Sequence, residues 1–171
     1  MKRIALAVLC LMLFSGCAKS TWETVDDTHL STKVTYLPDQ TYKISFELPE
    51  DVSLLESTDG WCIYGTVDDG LEVETRQFVA SSLSSAVEML SGFEAEDMSI
   101  LKLQNDDVSE YRFAWVTNSE LGNRICTADL LMHGVECYAI VCSTDETSGT
   151  AYSEEVRQIF ATYELLSDEL V

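Results

Sequence analysis

The sequence predicts one α+β domain: a single antiparallel β-sheet of about seven strands flanked by two main helices. Three observations predict it. Seven segments alternate or run apolar over strand lengths. Short Asp, Asn and Gly turns join most of them, and parallel neighbours would need crossovers of a dozen or more residues. Two other segments place their apolar residues at helical spacing. With 171 residues the chain holds one domain of ordinary size. A hydrophobic fraction of 46% and two prolines exclude general disorder.

Taken in order, Tyr42, Ile44, Phe46 and Leu48 alternate with Lys43, Ser45 and Glu47, and Pro49 then removes a backbone donor. Trp61 to Val67 and Leu71 to Phe78 follow as a hairpin around Asp68-Asp69-Gly70. Val79, Leu83, Ala86, Val87 and Leu90 mark one face of a helix whose wet side is Ser81, Ser82, Ser84, Ser85 and Glu88, and Gly92 ends it. Met98 to Gln104, Glu110 to Thr117, Asn123 to Met132 and Val135 to Ser143 complete the strands. Turns at Asn105-Asp106-Asp107, Leu121-Gly122-Asn123 and His133-Gly134 separate them. Tyr152, Val156, Ile159, Phe160 and Tyr163 line the second helix, with Glu154 and Glu155 at its positive end.

If His133-Gly134 is a two-residue loop, Met132 faces Val135, and Cys126 lies opposite Val141. One face then shows Cys126, Ala128, Leu130, Met132, Val135, Cys137, Ala139 and Val141, apolar enough to require a helix over it. The other face carries Ile125, Thr127, Asp129, Leu131, Glu136, Tyr138, Ile140 and Cys142, a mixed set. Cys137 and Cys142 fall on opposite faces, and Cys126 and Cys137 are offset along the strands. Bridges within this hairpin are therefore not expected, which leaves Cys62 as the one thiol with a candidate partner across the sheet. Small buried core thiols are the leading reading.

The N-terminus speaks of location. Lys2 and Arg3 precede an eleven-residue apolar run, Ile4 to Phe14, too short to cross a bilayer core of ~30 Å. Leu13-Phe14-Ser15-Gly16-Cys17 resembles the bacterial lipobox, with Leu13 one place further from the cysteine than is usual. Residues 1–16 then form a lipoprotein signal peptide, Cys17 is the lipidation site, 17–40 a lipid-anchored tether and 41–171 the domain. The membrane partner is reached through that N-terminal lipid, since two acyl chains suffice for stable anchoring. The place is the cell envelope, on the outer face of the cytoplasmic membrane, or the outer membrane in a host that has one. Thr32, Val34 and Tyr36 alternate within the tether and leave a first strand at 31–37 as the other reading.

Charge and composition exclude more chemistry than they suggest. With 10 basic and 30 acidic residues the net charge is −20, which rules out nucleic acid as a partner and favours a basic protein partner. Such docking weakens with salt, whereas docking through an apolar patch around Trp61 or Trp115 does not. Trp115 shares a strand face with Tyr111 and Phe113 and is expected in the core. Only His29 and His133 are present, and no nucleophile elbow or phosphate loop accompanies them, so no catalytic residue is nominated. Asp145-Glu146-Thr147-Ser148-Gly149 has the composition of a calcium loop but not its spacing, and reads as a solvated helix entry. No metal or cofactor is called for.

The phrase Ile44-Ser45-Phe46-Glu47-Leu48-Pro49-Glu50 is followed by a helix in the first half, a meander ending in Cys137 to Val141, and a closing helix with Ile159-Phe160-Ala161-Thr162-Tyr163. This order resembles the PsbP/Mog1-like α/β/α sandwich over about Tyr42 to Leu165. The resemblance implies an accessory or binding role, as in extrinsic photosystem subunits and a Ran-binding factor, and carries no site residue over. The expected function is a lipid-anchored, non-catalytic binding or assembly domain. The alternative is a carboxylate-dependent hydrolase at the cell envelope, which would show a cleft with two facing acids.

Overall fold

A computed structural model describes residues 30–36, 42–104, 108–119 and 122–167. The signal peptide, Cys17, His29 and the turn at Asp106-Asp107 lie outside the described residues. The strands are β1 (Leu30–Tyr36), β2 (Tyr42–Pro49), β3 (Ser53–Thr58), β4 (Trp61–Gly65), β5 (Leu71–Val79), β6 (Ile100–Gln104), β7 (Ser109–Ser119), β8 (Gly122–His133), β9 (Glu136–Asp145) and β10 (Glu164–Ser167). The helices are α1 (Leu83–Ser91) and α2 (Ser153–Thr162), and a short 3-10 turn spans Ala95–Asp97. β3 to β9 form a seven-stranded antiparallel sheet of the expected size, in the order β3-β4-β5-β9-β8-β7-β6, with six of the expected strands and β3 as an unexpected seventh. β9 at its centre is buried along both faces, from Cys137 to Thr144.

The strand at Tyr42–Pro49 is not part of that sheet. It is the middle of a second antiparallel sheet, β1-β2-β10. Leu30–Tyr36 takes the strand reading of its stretch, and Glu164–Ser167 adds four residues that show no alternation to read. Ile44, Phe46 and Leu48 of β2 pack on Tyr64, Leu71, Val73, Tyr138, Ile140 and Cys142 of the large sheet, with Ile159 and Phe160 of α2 in the same core. The Glu47 N–H, on the edge of β2 past its pairing with β10, donates to Thr162 Oγ1 at 3.0 Å. α2 and the small sheet thus cover one face of the large sheet together, and α1 covers the other over Phe113, Ala128, Leu130, Cys137 and Ala139.

Two boundaries differ from the sequence reading. β5 runs on to Val79, which pairs with Glu136, and the Ala80 N–H donates to Val135 O at 2.9 Å. The helix therefore waits for Ser82, whose Oγ accepts from the Ser85 N–H at 3.2 Å, and it starts at Leu83. The last hairpin turns through Gly134-Val135 rather than His133-Gly134, with His133 paired to Glu136 and Cys126 to Ser143. A two-residue loop of this hand needs a positive φ at its first central residue, and Gly134 supplies it at 63°. The slip is two places in pairing, an even number, so every residue still in a strand keeps its predicted face, and only Val135 leaves the apolar face for the turn.

Cys62, Cys126, Cys137 and Cys142 are all buried and free. In the observed register Cys137 pairs with Met132, six residues along β8 from Cys126, roughly 20 Å at strand rise. Burial raises the thiols of Cys126, Cys137 and Cys142 above their ordinary pKa. Native protein is therefore expected to resist maleimide at these positions and to take up label at all four after denaturation. Fast labelling of any of them in the folded state would place that thiol outside the core.

Candidate functional site

α1 has nine residues and is about 14 Å long, whereas β8 has twelve and runs about 40 Å. The helix covers only the end of the face nearest the Gly134 turn. Beyond its C-terminal residues the floor continues uncovered and becomes polar. Register lines up Glu72, Ser143, Cys126 and Trp115 in one row across β5, β9, β8 and β7, with Arg124 and Thr117 in the next. These residues, with Glu74, Arg76, Leu90 and Ser91, line a cavity of about 200 Å³. A second cavity of about 390 Å³ adjoins it along the flank of α1, between Asp59, Gly60, Trp61, Met89 and Leu90. Arg76 and Leu90 belong to both, so the two are lobes of one cleft.

The two glutamates and two arginines of the floor each have a partner. The Trp61 Nε1–H and the Arg76 Nε–H both donate to Glu74 Oε1. Arg124 donates to Ser143 Oγ from Nε at 3.2 Å and to Ser143 O from Nη2 at 3.0 Å. Its Nη1 reaches Asp69 O at 3.3 Å, and Ser143 Oγ in turn donates to Glu72 Oε1 at 3.5 Å. Trp115 stacks on Phe113 with ring centroids 5.7 Å apart and planes at 28°. It is half-buried rather than enclosed: its inner face belongs to the core, as Tyr111 and Phe113 do, and its other side forms the end wall of the cleft. Trp61, also half-buried, stands at the opposite end. The Cys126 thiol lies in the floor, buried and held protonated.

The two acids that do face each other lie on the opposite side of the sheet. Asp129 is fully buried, and its Oδ2 accepts from Arg112 Nε at 3.1 Å and also from Nη2. Glu110 stands 3.7 Å from the same guanidinium, which lies over the Phe160 ring at 5.0 Å. Burial first, then mutual repulsion at Glu110, raises both carboxyls above their ordinary pKa, with Arg112 opposing. The pair sits beneath α2 and lines neither lobe of the cleft.

The acidic turns are occupied by local structure. Asp68 accepts from the Gly70 N–H at 3.2 Å and from the Tyr152 hydroxyl at 3.1 Å, tying the start of α2 to the β4–β5 turn. Hydrogen bonds from Thr66, Gly70 and Tyr152 hold its carboxyl below the usual range. A methyl group on Gly70 would come within 2.5 Å of the Tyr152 ring, so glycine is needed there for close approach. Asp145 Oδ1 accepts from the Thr147 and Ser148 N–H groups, each at 2.8 Å, and Ser148 and Thr147 together lower its pKa. The stretch with calcium-loop composition is thus a turn before α2. Among the described residues no three His, Cys, Asp or Glu side chains converge as metal ligands would.

Of the residues singled out in the sequence, Trp61, Trp115 and Cys126 meet in the cleft, while Cys62, Cys137, Cys142 and His133 do not. Glu72, Glu74, Arg76, Arg124 and Ser143 were not singled out. Their signal is the charged alternation at 72, 74 and 76 in a strand whose intervening residues, Leu71, Val73 and Thr75, are buried. An interior strand with one polar face leaves that face uncovered by the core.

No protein-family model and no curated protein matches the chain. Solved structures do. The solution structure of cyanobacterial PsbP (CyanoP) from Synechocystis sp. PCC 6803 is 9% identical, with a TM-score of 0.56 over 85% of this chain and 99% of that one. LpqN of Mycobacterium tuberculosis, described as involved in cell envelope biogenesis, is 11% identical, with a TM-score of 0.52 over 82% of this chain and 94% of that one. A crystal structure from Bacteroides thetaiotaomicron VPI-5482 is 12% identical, with a TM-score of 0.55 over 82% of this chain. The chain spans half the length of that Bacteroides protein. At such identities the likeness is one of fold, and the fold shared is the PsbP-like α+β sandwich.

Proposed function

We propose that the protein is a lipid-anchored binding or accessory protein of the cell envelope, and that the cleft beside α1 is where it binds. One observation carries the binding half: the cleft along the flank of α1 and past its end gathers two tryptophans, two arginines and two glutamates, with the arginines and glutamates already hydrogen-bonded within the floor. Such a floor presents a fixed polar surface and offers no activated nucleophile or base. The lipobox-like residues before Cys17 support the anchoring half, and the envelope role of LpqN agrees with it. Away from the cleft, the acidic exterior suits a second, protein partner rich in Lys and Arg, whose association slows as salt rises. Mass spectrometry of the form extracted from native membranes tests the anchor. The expected N-terminus is a diacylglyceryl-modified Cys17, and a chain that starts elsewhere and is free in the medium would overturn it. Shifts of the Trp61 and Trp115 indole signals on ligand addition test the cleft.

A further inference from the structure

We infer that the cleft takes an extended, uncharged, polyhydroxylated ligand, a neutral oligosaccharide chain, and this rests on the cleft being the binding site. The lobe past the end of α1 balances its own charge, Glu72 and Glu74 against Arg76 and Arg124, and the other lobe adds only Asp59 beside Trp61, in a protein whose net charge is −20. An anion would face that acidic field and the two glutamates, and a cation would lie against two guanidinium groups. A ligand with paired hydroxyls meets neither penalty. It exchanges hydrogen bonds with carboxylates, which accept, and with guanidinium groups, which donate in a planar fork.

The walls point the same way. Trp61 lies on β4 and Trp115 on β7, with β5, β9 and β8 between them and an offset of four residues along the strands, so their strand positions stand about 23 Å apart diagonally across the floor. That span suits a chain of units rather than one small ring. The electron-rich face of an indole attracts the weakly positive C–H edge of an apolar sugar face and leaves the hydroxyls free for the floor. Ser91 and Thr117 add hydroxyls along the path. An extended peptide fits less well. Peptides that bind sheets do so by adding a strand to an open edge, whereas this floor is made of interior strands whose backbone groups are paired on both sides.

Full-length protein in detergent, with Trp22→Phe so that only the two cleft indoles report, would be titrated by fluorescence with neutral glucan, mannan, xylan and N-acetylglucosamine oligomers. Inorganic phosphate, benzyltrimethylammonium and an uncharged peptide serve as the other arms. Saturable quenching by at least one neutral glycan, unchanged between 20 and 200 mM salt on the order of a Debye-length change from ~20 to ~7 Å, is expected. Trp115→Ala and Glu72→Gln should each weaken it at least about tenfold while the circular dichroism spectrum stays native. Saturable binding of phosphate, the ammonium ion or the peptide with no response to any glycan would overturn the ligand class and leave the cleft as the binding site. No response to any arm would overturn both.

Discussion

Arg112→Met is expected to cost ~3–5 kcal/mol at neutral pH, because it leaves the buried Asp129 carboxylate, with Glu110 beside it, without a counter-charge. Against a total stability of ~5–15 kcal/mol for a domain of this kind, that loss brings the variant close to unfolding. Asp129 cannot escape to water, since its side chain is 1% exposed, whereas Glu110 keeps 22%. The pH dependence gives the test its specificity. Both carboxyls titrate above their ordinary values of 3.8 and 4.5, so in that window the native state holds protons that the unfolded state has released. The cluster's contribution to stability is therefore fully present below the ordinary values and is lost as pH rises through the raised ones. Without Arg112 the carboxyls rise further, and the gap between variant and wild type should narrow as pH falls toward 5 in urea titrations. A gap that is constant with pH would mean that Arg112 acts through packing on Phe160 rather than through charge.

Phe46→Ala should cost a similar ~3–5 kcal/mol, for a different reason. Phe46 is 0% exposed and meets Tyr64 edge-on, with centroids 5.9 Å apart and planes at 79°. It is the middle contact of the small sheet on the large one, between Ile44 and Leu48. β1 and β10 pair only with β2, so weakening this contact loosens all three strands from the domain together. The expected outcome is a lower urea midpoint together with faster amide exchange in β2 and β10, while β8 and β9 remain protected. A loss below about 1 kcal/mol would show that the small sheet stands without this contact.

The sequence revealed the large sheet because its strands carry one-sided burial. In β8 and β9 the alternation put Cys126, Ala128 and Leu130 against Cys137, Ala139 and Val141 on one face, and the structure keeps that face despite the two-place slip in pairing. β3 escaped notice because all six of its residues are exposed, so Ser53–Thr58 has no buried period to read. The placement of β2 in a second sheet was also illegible, since Ile44, Phe46 and Leu48 alternate in the same way whichever sheet the strand joins. The cleft was half legible. Trp61 and Trp115 stood out as residue types, but their joining depends on α1 being too short to cover the face. That in turn follows from the extension of β5 to Val79 and the cap at Ser82. Glu72, Glu74 and Arg76 looked like an ordinary solvated strand face until β9 and β8 placed Ser143 and Arg124 beside them.

The central claim, that the protein binds through the cleft beside α1, is most directly tested by NMR on isotope-labelled full-length protein titrated with solubilised cell-envelope polysaccharide. The indole Nε1–H signals of Trp61 and Trp115 and the Nε–H signals of Arg76 and Arg124 report on the two lobes and the floor. Binding in the cleft predicts saturable shifts confined to these signals and to Leu90, Ser91 and Thr117, with Arg112 and the small sheet unmoved. Saturable shifts at Arg112, β2 or β3 with the cleft signals unchanged would contradict it.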